Sequence, residues 1–304
     1  MSGETLGIAL RILSGILFTA MAALVKAIGD GAALGQIVFF RSAVAMLPLV
    51  VFLWLRSEFP HGLATRRPFG HLARCVMGGA AMFTSFATVQ LLPIAEATML
   101  FYLSPVMIVA LAALLLGERP HLRRWGGLVL GVAGAVVLTA PQFGTRSPEF
   151  FGIALGLSTA ALTAGALVQV RALASSESPG AIAFYFALAC SVAGLATMPF
   201  GWSQPDAATY LLLIGTGLCG GAAHIAMTLS FRHAEASLLA PFEYLTLLWA
   251  MVVGVLFFAE TPSAAFAIAA PLVIGGAVLA SPQMRLRRLW GARRQRNANR
   301  TQQG

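Results

Sequence analysis

Charge is what this chain lacks most. Asp, Glu, Lys and Arg make up 10% of its 304 residues, where soluble domains carry roughly 25%. Hydrophobic residues fill 58% of it and the mean hydropathy is +0.82, so lipid rather than water is its main solvent. Cysteine is also scarce. Cys75, Cys190 and Cys219 each fall in an apolar run, and an odd, buried set excludes a disulfide framework. No glycine-rich nucleotide loop, no His/Cys metal-ligand spacing and no Gly-x-Ser-x-Gly elbow is present. These absences lead us to expect no cofactor, no metal and no enzymatic activity. Transport, without a nucleotide site, must draw on a gradient. No cleavable signal peptide is evident, because the first apolar segment contains Arg11 and leads into more apolar sequence.

What is present is a series of apolar runs. They cover about Leu6–Val25, Ala33–Leu55, Cys75–Leu92, Ala97–Gly117, Trp125–Ala140, Phe150–Val170, Ala181–Phe200, Tyr210–Phe231, Ala236–Ala259 and Ala264–Ala280. Most approach the roughly 20 residues that span a bilayer as helix. The expected class is an all-α integral membrane protein with ten transmembrane helices. The net charge of +9 is concentrated at the C-terminus, in Arg285, Arg287, Arg288, Arg293, Arg294, Arg296 and Arg300. That distribution suits anionic lipid headgroups better than nucleic acid. With the N-terminus inside, cytoplasmic loops collect Arg56, Arg66, Arg67, Arg74, Arg119, Arg123, Arg124, Arg171 and Arg232, against Lys26 and Arg146 outside. The positive-inside rule then puts both termini in the cytoplasm of a plasma (inner) membrane protein.

The two halves repeat. Gly7-Ile-Ala-Leu recurs as Gly152-Ile-Ala-Leu, and Gly35-x-Ile37-x-Phe39-Phe40 as Gly180-x-Ile182-x-Phe184-Tyr185. Ala95-Glu96-Ala97 matches Ala234-Glu235-Ala236, and Glu118-x-Pro120 matches Glu260-x-Pro262. Five spans per copy force opposite orientations, the inverted repeat common in secondary transporters. The expected organisation is a first repeat over 1–145, a second over 146–282 and a basic cytoplasmic tail over 283–304.

With its arginine in the second span (Phe39-Phe40-Arg41-Ser42), Gly117-Glu118-x-Pro120 closing the fourth and a glycine-rich fifth, the chain resembles EamA-type members of the drug/metabolite transporter superfamily. The resemblance runs to about Pro282 and implies a ten-helix carrier of small metabolites, often an exporter.

Candidate substrate- or proton-binding residues are the polar groups stranded in apolar runs. A carboxylate mid-span costs about 2.5–3.5 kcal/mol on insertion scales, which makes Glu243 the first candidate. His224 lies nearly as far from the intervening turn and is expected at a similar depth, where the two can pair for transport or simply join two helices. Arg41 is read as a counter-charge for a substrate carboxylate or for Glu243, or else as a structural bond to backbone carbonyls. Tyr244, Trp249, Gln90, Tyr102 and Gln169 are candidate cavity walls, and Pro241 and Pro105 candidate helix breaks. Glu118 and Glu260 read as caps of the following spans. Arg41 and Glu243 as opposite charges favour an amino-acid-like zwitterion, whereas Glu243 alone favours a cation. The partners expected are a small-molecule substrate and the bilayer, with a homodimer left open. A membrane-embedded transferase acting on lipid-soluble substrates is the competing reading.

Overall fold

The computed structural model describes residues 3–55, 57, 59–115, 122–142, 147–173, 176–234 and 236–280. The basic tail, Glu118, Arg146 and Glu235 lie outside them. Among the described residues there are twelve α-helices and no strand. They are α1 (Gly3–Ile28), α2 (Leu34–Leu55), α3 (Pro68–Leu91), α4 (Ile94–Phe101), α5 (Ser104–Leu115), α6 (Leu122–Thr139), α7 (Pro148–Leu173), α8 (Pro179–Leu195), α9 (Ala207–His233), α10 (Ala236–Glu243), α11 (Leu245–Phe258) and α12 (Ala264–Ala280).

Local chemistry fixes where these helices start. Ser147, Ser178, Asp206 and Ser263 each accept a backbone N–H in the first turn of the helix that follows, satisfying groups with no partner inside it. Pro68, Pro148 and Pro179 stand where their missing N–H costs nothing. Among the described residues, seven stretches are long and apolar enough to cross a bilayer, one of them Ile94–Leu111 across α4 and α5; Trp125–Thr139, Leu245–Phe258 and Ala264–Leu279 are shorter apolar helices.

The most extensive helix pairings come in matching sets. α1 lies on α9 as α3 lies on α7; α2 meets α8, and α6 meets α12. α2 also packs on α9, as α3 does on α8. Glycines let several helices approach closely. Gly217 and Gly221 admit Val44 and Pro48, Gly152 and Gly156 admit Leu92 and Leu100, and the backbones of Gly131 and Gly276 abut.

Connections gather at the two ends. At one end the α2–α3 loop docks on the α7–α8 turn: the Arg66 N–H donates to Glu177 at 3.0 Å, Ser178 to the Gly62 carbonyl at 2.6 Å and Tyr185 to the Leu63 carbonyl at 2.9 Å. At the other end Ser203 donates to the Gly31 carbonyl at 3.0 Å, while the α3–α4 turn meets the segment after α11.

Two features differ from expectation. α3 begins at Pro68, seven residues before the apolar run, so Arg74 lies inside the helix rather than in a loop. Its polar turns are tolerated because His71 faces Glu177 and Arg74 stacks on Phe186. Pro105 belongs to the first turn of α5 and not to the middle of a helix. It cannot bond the Phe101 carbonyl, and the Ser104 hydroxyl does so instead, at 2.7 Å.

Candidate functional site

Two stretches are interrupted at matching places, one between α4 and α5 and one between α10 and α11. Between α4 and α5 the chain tightens at Tyr102: its N–H is shared between Thr98 and Met99, and the Leu103 N–H reaches back only to Leu100. Between α10 and α11 the interruption is Tyr244, whose carbonyl accepts the Leu247 N–H at 3.1 Å. Tyr102 and Tyr244 stand in the same register as Glu118 and Glu260 in the sequence repeat. Pro105 follows one interruption by three residues and Pro241, in α10, precedes the other by three. The tyrosine rings meet at 5.4 Å, and the Tyr102 hydroxyl donates to the Glu243 backbone carbonyl at 2.6 Å. The two breaks thus touch each other.

Beside this junction Glu243 does not face His224. Its carboxylate takes Arg11 of α1, Nη2 to Oε1 at 2.9 Å. Arg11 is 9% exposed as a side chain and Glu243 50%; the Arg11 guanidinium also lies 5.7 Å from the centre of the Phe231 ring. α1 packs on both α9 and α10, which puts Arg11 within reach of Glu243. The shared depth inferred for His224 and Glu243 therefore does not produce a pair, because the helix faces point elsewhere.

His224 instead meets Arg41, Nε2 to Nη2 at 3.1 Å. Since an arginine only donates, the imidazole accepts at Nε2. Phe18 stands edge-on to the His224 ring at 5.0 Å. His224 retains accessible surface. Arg41 is 5% exposed and makes neither a bond to a backbone carbonyl nor a pair with Glu243.

The remaining candidates separate. Trp249 has its indole N–H buried without a partner. Gln90 lies away from the centre: it donates to the Gly29 carbonyl at 3.0 Å and lines a cavity of about 410 Å³ with Asp30 and Trp202. Gln169 lines a second cavity, of about 370 Å³, beside Arg66 and Arg67. Both cavities sit at the ends of the bundle rather than around Arg41 or Glu243.

Several residues with a role here were not singled out from sequence. Lys26 of α1 pairs with Glu260 and donates to the Leu92 carbonyl at 2.6 Å. Glu260 also accepts the Ile94 N–H at 2.8 Å. It does cap a helix, but that helix is α4 in the other half, not α12. Ser263 caps α12 and donates to Glu96 at 2.8 Å. Two ion pairs thus fasten α1, Arg11 to Glu243 at the end of α10 and Lys26 to Glu260 just after α11. They stand about 22 Å apart along α1 at 1.5 Å per residue. The signal was available: Arg11, like Arg41, is a charge inside an apolar run. At one end of the bundle, backbone donation from Arg66 holds the Glu177 carboxyl below the usual carboxylate range, with His71 Nε2 3.5 Å away.

The model of the EamA-like transporter family matches residues 5–140. The pseudopaline exporter CntI of Pseudomonas aeruginosa is 32% identical over 90% of this chain and 92% of its own length. A riboflavin transporter of Rhizobium johnstonii is 28% identical over 71% of this chain and 72% of its own. An S-adenosylmethionine uptake transporter of Rickettsia prowazekii is 26% identical over 78% of each. A crystal structure at 22% identity superposes with a TM-score of 0.63 over 90% of this chain and 96% of that one, which shows a shared fold. Its relatives move small molecules across membranes, its helices are those of a multi-pass membrane protein, and with one relative above 30% identity along nine-tenths of both chains, this chain belongs to the EamA-like transporter family.

Proposed function

We propose that the protein is a secondary transporter of small organic metabolites, built as ten spans in two inverted repeats, 1–145 and 146–282. It sits in the inner membrane with both termini in the cytoplasm. The observation that carries this reading is the contact of the two interrupted spans at Tyr102 and Tyr244, beside a carboxylate half open to its surroundings. Interrupted helices meeting between repeats are where carriers of this architecture hold substrate. The symmetric packing of the halves supports the inverted repeat. The end that carries Arg66 and Arg67 is the cytoplasmic one, where exposed arginines favour anionic headgroups.

The two ion pairs suggest how access alternates. Arg11–Glu243 closes α1 against the ninth span towards the cytoplasm, and Lys26–Glu260 does so towards the outside. Opening either side requires one pair to part. A proton arriving at Glu243 removes the charge that holds Arg11, which couples the proton gradient to the inner closure. A substrate ammonium competing with Arg11 for Glu243 does the same, so amino-acid-derived substrates and exchange fit the site. Export is the favoured direction, in line with the exporter among the relatives.

The test uses the full chain in liposomes with an imposed pH gradient and a panel of labelled amino acids, nucleosides and vitamins. Glu243→Gln should insert normally and lose about tenfold in gradient-driven flux, a change of about 1.4 kcal/mol. Normal transport by this variant across pH would make Glu243 a purely structural group.

A further inference from the structure

Arg74 does not enter the reading above, and its surroundings set it apart. Its guanidinium stacks on Phe186, 4.2 Å from the ring centre. Both Nε and Nη1 are buried and without a hydrogen-bond partner. Arg41 repeats the pattern on α2, with Nη2 on His224 and a buried Nε that has no partner. The two charges act on each other, on His224 and on Cys190 of α8. Among the described residues, no carboxylate lies within ion-pair distance of either arginine.

Such an arrangement is costly on its own. A buried charged donor left without an acceptor loses its hydration and gains nothing in exchange. Two guanidiniums in a low-dielectric interior also repel each other. The fold nevertheless makes room for both. A β-carbon at Gly78 would overlap the Arg74 guanidinium, and one at Gly220 would crowd Arg41 Nε. Gly78 and Gly220 occupy matching positions in the two halves, in the register of Tyr102 and Tyr244. Phe186 stands where the repeat places the counterpart of Arg41, so the aromatic face beneath Arg74 occupies the place of a second arginine.

We propose that Arg41 and Arg74, with His224 holding Arg41, form a carboxylate-binding subsite in the centre of the bundle. The substrate is then an organic anion with at least one carboxylate not balanced by an adjacent ammonium. Glu243 already has Arg11 as its partner, whereas Arg41 Nε and Arg74 Nε and Nη1 have no acceptor, so the vacant recognition is for negative charge. The planar fork of each guanidinium matches a carboxylate in a way a lysine cannot. This inference rests on the transporter reading for the word substrate; the binding itself can be measured without transport.

The experiment measures thermal stabilisation of the detergent-purified full chain by succinate and by its neutral analogue succinamide, at matched ionic strength. Succinate should stabilise the wild type and succinamide should not. Arg74→Gln should weaken the apparent affinity for succinate about tenfold or more, as expected for losing a charge-assisted contact. Should that variant fail to fold, Arg74→Lys keeps the charge and should still bind less well, because it loses the fork. Equal stabilisation by both compounds, or undiminished succinate binding in the Arg74 variants, overturns the subsite. The transport panel separates the two readings. Gradient-driven flux that is indifferent to carboxylates rejects the subsite alone, whereas intact succinate binding without any gradient-driven flux rejects the transporter reading and keeps the site.

Discussion

Glu260→Gln tests the outer ion pair. The Lys26 and Glu260 side chains are 17% and 12% exposed, so the variant strands an ammonium in a largely dry place. Removing one member of a buried pair costs about 3–5 kcal/mol. Lys26 keeps the Leu92 carbonyl and the edge of its contact with Phe258, 5.9 Å away. The Gln amide oxygen can still accept from Ile94. These residual contacts place the expected loss near the lower bound, about 3 kcal/mol. At about 2–4 °C per kcal/mol for a large domain, the melting temperature should fall by about 6–12 °C. Glu243→Gln should cost less, about 1–2 kcal/mol, because half of the Glu243 side chain is already exposed. Thermal unfolding in detergent, followed by tryptophan fluorescence, reads both. The double variant Lys26→Met/Glu260→Gln removes the stranded charge and should recover at least half of the loss. A loss below about 1 kcal/mol for Glu260→Gln, or no recovery in the double variant, would refute the idea of a closed, coupled pair.

Three further outcomes follow from the geometry. Glu177 has its carboxyl pKa lowered from an ordinary 4.5, first by the Arg66 N–H. Its contribution is therefore complete above that value and lost as pH falls through the lowered one. Protease protection of the α2–α3 loop should fade in acid for the wild type and show no such transition for Glu177→Gln; an identical acid transition in the variant would dismiss the carboxylate. Ala259 has φ 52°, a left-handed conformation where glycine is at no disadvantage, so Ala259→Gly should stabilise by about 0.5–1 kcal/mol, and destabilisation would contradict the assignment. In a cysteine-free background, a cysteine at Ser203 should react with an impermeant maleimide applied from outside and one at Ala64 should not; the reverse pattern would invert the proposed topology.

The helices were legible because most of their apolar runs are long. The tyrosine junction was half legible: both tyrosines and both prolines stood out, but which carbonyls lose their partners depends on the helix turn. Glu243 was picked out by the cost of a carboxylate in an apolar run. Its partner was not, because depth along a helix says nothing about rotation around it. Glu260 was misread as a local cap because sequence neighbours suggest α12, while the free N–H it satisfies belongs to α4. Arg74 was assigned to a loop because a helix with polar first turns resembles a loop when only hydropathy is weighed.

The two ion pairs that fasten α1 also set an order of events during synthesis. Arg11 and Glu243 are 232 residues apart, and Lys26 and Glu260 are 234 apart. At about 5–20 residues per second, the ribosome delivers each acid roughly 12–47 s after its cation. For that interval the first helix must sit in the membrane with both of its charges unmatched. It must lean on headgroups, on water or on the insertion machinery until nearly the whole chain has been made. A chain that stops after α9 lacks both acids, so neither charge of α1 finds its ion-pair partner.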